Sequence, residues 1–131
     1  MTVQLYRIIL PVTNIEKAIS FYSSVLDLKG EQVSPGRFYF NCDDTILACY
    51  DPIADGDEIE EGWLHHSNQY IYFSVDNLDT ILTRIEPSGG TVEEPIAEMP
   101  WGERLFYAKD PFGNPISFVD KNTVFKGTDN E

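Results

Sequence analysis

The segment Leu10-Pro11-Val12-Thr13-Asn14-Ile15-Glu16-Lys17-Ala18-Ile19 returns in pattern as Phe73-Ser74-Val75-Asp76-Asn77-Leu78-Asp79-Thr80-Ile81-Leu82, 63 positions later. Each copy holds a short apolar strand, a turn closed by asparagine and an amphipathic helix, and each runs on into a hairpin-like pair of aromatic strands. A repeat with so long a period means two modules that share one core. It also allows equivalent positions to be compared within a single chain.

With 131 residues, the chain is near the usual size of one domain and long enough to bury roughly two-thirds of its unfolded surface. The expected organisation is a single domain over 1–131, with modules at about 4–51 and 68–121 and an acidic linker at 52–67. No apolar run is long enough for a membrane span, and the N-terminus lacks the basic-then-apolar pattern of a signal peptide. The expectation is a cytoplasmic protein without membrane contact. A net charge of −13 argues against nucleic acid, since neutralising phosphates needs clustered Lys and Arg. The two cysteines, Cys42 and Cys49, read as free thiols.

In the first module, Tyr6 to Val12 reads as a buried strand. Asn14 caps a helix whose apolar stripe is Ile15, Ala18, Ile19, Tyr22, Val25 and Leu26, and Gly30 is expected to end it. Short strands follow near 31–33, 37–41 and 45–50. The stretch after Tyr50 is crowded with Asp51, Asp55, Asp57, Glu58, Glu60 and Glu61 around Pro52 and Gly56, and reads as a solvated loop. The second module repeats the plan: a strand at 70–75, Asn77 as cap, the stripe Leu78, Ile81, Leu82 and Ile85, a stop at Pro87 and Gly89-Gly90, and strands near 91–93, 104–108 and 115–120. Asp110-Pro111-Phe112-Gly113-Asn114 is dense turn chemistry.

The order βαβββ twice over is joined by the signature Val12-Thr13-Asn14-Ile15 with Phe21-Tyr22 on the helix. It is joined too by Trp101-Gly102-Glu103-Arg104 leading to Asp110-Pro111-Phe112-Gly113-Asn114-Pro115. Together they resemble the vicinal-oxygen-chelate superfamily of glyoxalases, bleomycin-resistance proteins and extradiol dioxygenases. The resemblance implies an α+β fold in which two βαβββ modules form a cupped mixed sheet, and it implies a homodimer. It does not fix an activity, because one fold carries many chemistries.

The resemblance further implies where a metal would sit: one ligand from the first strand and one from the last strand of each module, here Arg7, Ala48, Tyr70 and Ser117. A divalent ion held there would polarise two neighbouring substrate oxygens. These residues make a poor ligand set, because arginine keeps its proton, alanine has no donor atom, and serine and neutral tyrosine bind zinc or nickel weakly. No metal and no cofactor are therefore expected. Arg7 could grip an anionic or oxygen-rich ligand by a two-pronged hydrogen bond, with a loss of roughly 2 to 5 kcal/mol on Arg7→Ala if the pair is desolvated. Alternatively it pairs internally, for instance with Glu103.

Phe38, Phe40, Tyr70, Tyr72, Trp101, Phe106 and Tyr107 lie on expected strands or their mouths, where alternation lets only one set per strand face a cavity. The ligand-binding set read from the sequence is Arg7, Phe40, Tyr70, Tyr72, Trp101, Glu103 and Ser117. His65 and His66 read as surface residues, the alternative being that one acts as a base or as a ligand with Glu103. Two functions follow. One is a metal-free protein holding a planar or oxygen-rich small molecule in an aromatic cleft. The other is a metal-dependent glyoxalase-like lyase or isomerase, epimerase or dioxygenase with unusual ligands.

Overall fold

The computed structural model describes residues 3–59 and 69–125. The first module runs β1 (Arg7–Pro11), α1 (Ile15–Leu26), β2 (Glu31–Ser34), β3 (Arg37–Cys42) and β4 (Thr45–Tyr50). The second runs β5 (Ile71–Val75), α2 (Leu78–Ile85), β6 (Thr91–Glu98), β7 (Arg104–Lys109) and β8 (Pro115–Asp120), followed by a single 3-10 turn. Each module is a four-stranded mixed sheet, ordered β1-β4-β3-β2 and β5-β8-β7-β6. The first and last strands of each run parallel, joined through the helix, and the remaining pairs are antiparallel. Ile9 stands opposite Ala48 as Tyr72 stands opposite Ser117. The α+β fold of two βαβββ modules is thus present, with its hydrogen bonds closed within each sheet.

Both helices start as their sequences dictate. Asn14 Oδ1 accepts from Lys17 N and Asn77 Oδ1 from Thr80 N, each at 3.1 Å, which satisfies one orphan donor per helix. The apolar stripe of α1 buries Ile15, Ala18, Phe21, Tyr22 and Val25, so Phe21 joins it while Ile19 and Leu26 sit at its margin. The end of α1 differs from expectation. It stops at Leu26, and Asp27 rather than Gly30 takes the left-handed conformation, at φ 54°. Gly30 is needed for close approach: a Cβ there would lie 2.2 Å from Phe38 Cε1 and 2.6 Å from the Tyr39 carbonyl oxygen.

One hydrophobic core runs through both modules, from Leu10, Phe21 and Tyr22 to Ile85, Phe106 and Phe118. Polar stitches fix the modules to each other. Tyr22 Oη donates to Asp110 Oδ2 at 2.7 Å, Asn114 Nδ2 donates to the Pro11 carbonyl at 2.9 Å, and Arg84 donates to the Val25 carbonyl at 3.2 Å. Asp110 also accepts from Phe112 N, Asn114 N and Asn114 Nδ2. The turn thus closes on the carboxylate that ties α1 of one module to the other.

Two expectations need correction. The described part of the acidic stretch is not simply solvated: Asp51 is buried and accepts from Ala54 N, Asp55 holds Gly36 N and pairs with Arg37 at 3.1 Å, and Tyr50 donates to Asp57. These bonds lock the turn onto the β2–β3 connection. Strand β6 is longer than three residues and contains Pro95, which is tolerated because β6 is an edge strand. Its register slips twice against β7, between Val92 and Glu94 and between Glu94 and Ala97.

Candidate functional site

Each helix packs against one face of its own sheet, and the opposite faces stay partly exposed. On the first sheet, strand pairing brings Ile9, Tyr39 and Ala48 side by side, with Arg7, Arg37 and Tyr50 on the same face. On the second sheet, Tyr72, Tyr107 and Ser117 form the equivalent row. Tyr39 and Tyr107 are therefore counterparts across the repeat.

On the second sheet three tyrosines meet. Tyr70 and Tyr107 lie edge to face with centroids 5.2 Å apart, Tyr70 and Tyr72 are 6.3 Å apart, and Tyr72 and Tyr107 6.4 Å. The hydroxyls of Tyr72 and Tyr107 share a hydrogen bond of 3.4 Å. That bond, with burial and the nearby charges of Glu94 and Glu103, pushes the Tyr107 phenol up to about 12. It therefore offers a neutral hydroxyl at physiological pH. Three hollows meet at Tyr72: one of about 300 Å³ with Tyr70, Tyr107, Glu93 and Glu94, one of about 410 Å³ with Glu103 and Phe125, and an inter-module cleft of about 440 Å³. The cleft is walled mainly by apolar side chains such as Ile8, Leu26, Leu47 and Phe73. By contrast, polar side chains line the hollow beside Tyr70 and Tyr107, and such groups fix a ligand's orientation.

Tyr70 and Tyr72 share this face, and Glu103 borders it. Tyr70 precedes β5 by one residue. Glu103 accepts from Trp101 Nε1 at 2.9 Å and from Phe125 N at 3.1 Å, which leaves Trp101 exposed on its turn. Ser117 is under the tyrosines rather than among them: it is fully buried and its hydroxyl donates to the Phe106 carbonyl. Phe40 is a core residue, packed at a tilt against Phe38 and Tyr22 on the helix side of its sheet. Its neighbour Tyr39 is on the open side instead, because adjacent strand residues face opposite ways.

Arg7 is on the open face of the first sheet, exposed to solvent, with its guanidinium over the Tyr6 and Tyr39 rings at 5.3 and 5.5 Å and a 3.4 Å hydrogen bond to Tyr39 Oη. It has neither the expected pairing with Glu103 nor a shared contact with Tyr70 among the described residues. The desolvated pair behind a loss of 2 to 5 kcal/mol is not present at Arg7 within this chain. His65 and His66 lie outside the described residues.

The metal positions of the resemblance do not fit an ion. Arg7 is cationic, Ala48 has no donor, and the Ser117 hydroxyl is already committed. Among the described residues no three His, Cys, Asp or Glu side chains are grouped to hold a metal. Nor, among them, is any helix long and apolar enough to cross a membrane. Tyr107 was among the aromatic candidates but not in the ligand-binding set read from the sequence, and Glu93 and Glu94 were in neither. Counting back from Ser117 across the β7–β8 turn would have found Tyr107, but the slip in β6 hides the two glutamates.

A protein-family model described as Glyoxalase/Bleomycin resistance protein/Dioxygenase superfamily matches residues 4–118. The fold is similar to that of a glyoxalase-related enzyme from Fulvimarina pelagi, with a TM-score of 0.75 and 17% identity over 98% of this chain and 95% of that one. It is similar to lactoylglutathione lyase from Agrobacterium tumefaciens (TM-score 0.71, 22% identity, 95% and 98% covered). A glyoxalase/bleomycin resistance protein/dioxygenase from Nocardioides gives a TM-score of 0.69 and 20% identity, with 100% and 90% covered. Identities this low bear on fold alone. No curated protein gives a significant match.

Proposed function

Because the chain belongs to the glyoxalase/bleomycin resistance protein/dioxygenase superfamily, whose fold leaves the chemistry open, its function rests on its own side chains, and we propose that it binds a small organic molecule without a metal. The ligand is planar or oxygen-rich and lies against the tyrosine face of the second sheet. The observation that carries this reading is the position of Tyr72. It borders three hollows at once, beside the further tyrosines Tyr70 and Tyr107. Aromatic walls supply contact area and the hydroxyls supply orientation.

The working unit in this reading is a homodimer. Ile9, Tyr70, Tyr72 and Trp101 are large apolar side chains left exposed on or beside the open sheets, and exposed apolar surface of this kind marks an interaction site. A second copy laid over these faces would turn shallow hollows into enclosed ones.

The test is elemental analysis of the purified protein, followed by screening for lyase, isomerase and dioxygenase activity with added nickel, zinc or iron. The reading expects no stoichiometric metal and no metal-dependent turnover. One equivalent of a divalent ion that switches on turnover would replace it with the enzymatic reading.

A further inference from the structure

We propose that the corner formed by Tyr70, Tyr72, Tyr107, Glu93 and Glu94 binds an organic cation, a quaternary or protonated alkylammonium group. The inference rests on the tyrosine face being a ligand site and names the chemistry of one end of it.

The aromatic part comes from three rings set at steep angles. Their planes meet at 50° to 82° and their centroids are 5.2 to 6.4 Å apart. All three side chains line a hollow of about 300 Å³, and an aromatic ring carries a negative face. A cation within about 6 Å of such a face is attracted by the ring quadrupole.

The acidic part comes from a backbone irregularity. In a regular strand Glu93 and Glu94 would point to opposite faces. The slip between Val92 and Glu94 pairs Val92 with Ala108 but Glu94 with Tyr107, leaving Glu93 as the extra residue. Both residues then line the same hollow, and Glu93 reaches Lys109 on that face at 3.8 Å. Bulges re-aim side chains in this way, often beside functional sites. Lys109 is the only cation paired there among the described residues, and Glu94 is in no salt bridge among them, so the corner keeps a net negative charge. Two carboxylates and three phenols are a poor cage for a hard metal ion, which needs six or more oxygens at short range. A soft, weakly hydrated organic cation needs only ring faces and a diffuse negative field.

The experiment is a ligand-observed NMR titration of the whole chain with three probes: choline, its uncharged isostere 3,3-dimethyl-1-butanol, and benzoate as a planar anion. Choline is expected to bind about tenfold more tightly than the isostere, with its N-methyl protons shifted upfield. Tyr72→Leu, at a half-exposed position the fold does not depend on, is expected to weaken choline by about 2- to 5-fold. Glu93→Gln with Glu94→Gln is expected to remove the preference for choline over the isostere. Equal binding of choline and its isostere, or no choline binding, overturns the inference. If benzoate alone binds, and Tyr72→Leu weakens it, the face is still a ligand site and only the cation is lost. If no probe binds, the site reading falls as well.

Discussion

Replacing Tyr22 by Phe removes a single oxygen from the most heavily stitched point between the two modules. The ring is fully buried on α1, and its hydroxyl donates at 2.7 Å to Asp110, itself 3% exposed. Four donors converge on that carboxylate: Tyr22 Oη, Phe112 N, Asn114 N and Asn114 Nδ2. Such convergence is what an acceptor-only, ionised side chain requires. A hydrogen bond to a charged group contributes about 1.5 to 3 kcal/mol. The benzyl ring stays, so no large cavity adds to the loss. Tyr22→Phe is therefore expected to cost about 2 kcal/mol, which lowers the urea midpoint by about 1 M at a typical slope for a small domain. The slope itself should not change. Combining Tyr22→Phe with Asp110→Asn should show coupling of about 1 kcal/mol or more, because the partners touch. A midpoint within about 0.2 M of wild type, or purely additive effects, would refute the idea that this bond holds the modules together.

Gly30→Ala would place a methyl group against Phe38 Cε1 and the Tyr39 carbonyl, and backbone cannot yield as a side-chain tip can. A loss of about 1 to 3 kcal/mol is expected by urea unfolding, and a neutral result would show that the close approach at Gly30 imposes no constraint. The chain should also weaken in alkali. Burial, helped by the charge of Asp110, raises the Cys49 thiol from its ordinary 9.0 to about 12, and burial with the Asp110 contacts raises the Tyr22 phenol well above its ordinary 10.0. The folded chain keeps these protons where the unfolded chain has released them, so stability is complete below pH 9 and falls as pH climbs towards 12. Urea midpoints at pH 7.5, 9.5 and 10.5 test the sign, with a shallower decline expected for Cys49→Ala and a flat profile contradicting it. In the native protein at pH 8 a thiol reagent should label Cys49 no faster than the chain unfolds, since that side chain is buried.

Much of the fold was legible because each signal was local and written twice. Asn14 and Asn77 cap by the same bond, and the apolar stripes of α1 and α2 both bury. Errors gathered where a tertiary contact overrode the local sign. Gly30 resembles a helix stop, yet its role is set by Phe38, a residue of the neighbouring strand. The acidic stretch resembles solvated surface, yet Asp51 and Asp55 are drawn inward by backbone donors at Gly36 and Ala54. The proposed site was half legible. Tyr70 was named from the repeat and Tyr72 from the strand aromatics, but choosing Tyr39 over Phe40 required the β3–β4 register, and one residue of slip inverts a strand. Glu93 and Glu94 could not be found by alternation at all, because the bulge that brings them together breaks alternation.

The account rests on the tyrosine face binding small organic molecules without a metal, and a chemical-shift map of the isotope-labelled protein tests it directly. Screened in the presence of a chelator against a set of planar, oxygen-rich fragments, the protein should show perturbations centred on Tyr70, Tyr72, Tyr107 and Glu94, and these should vanish in Tyr72→Leu. Fragments that bind only after nickel or zinc is added, or that map to the inter-module cleft and leave the three tyrosines unmoved, would contradict it.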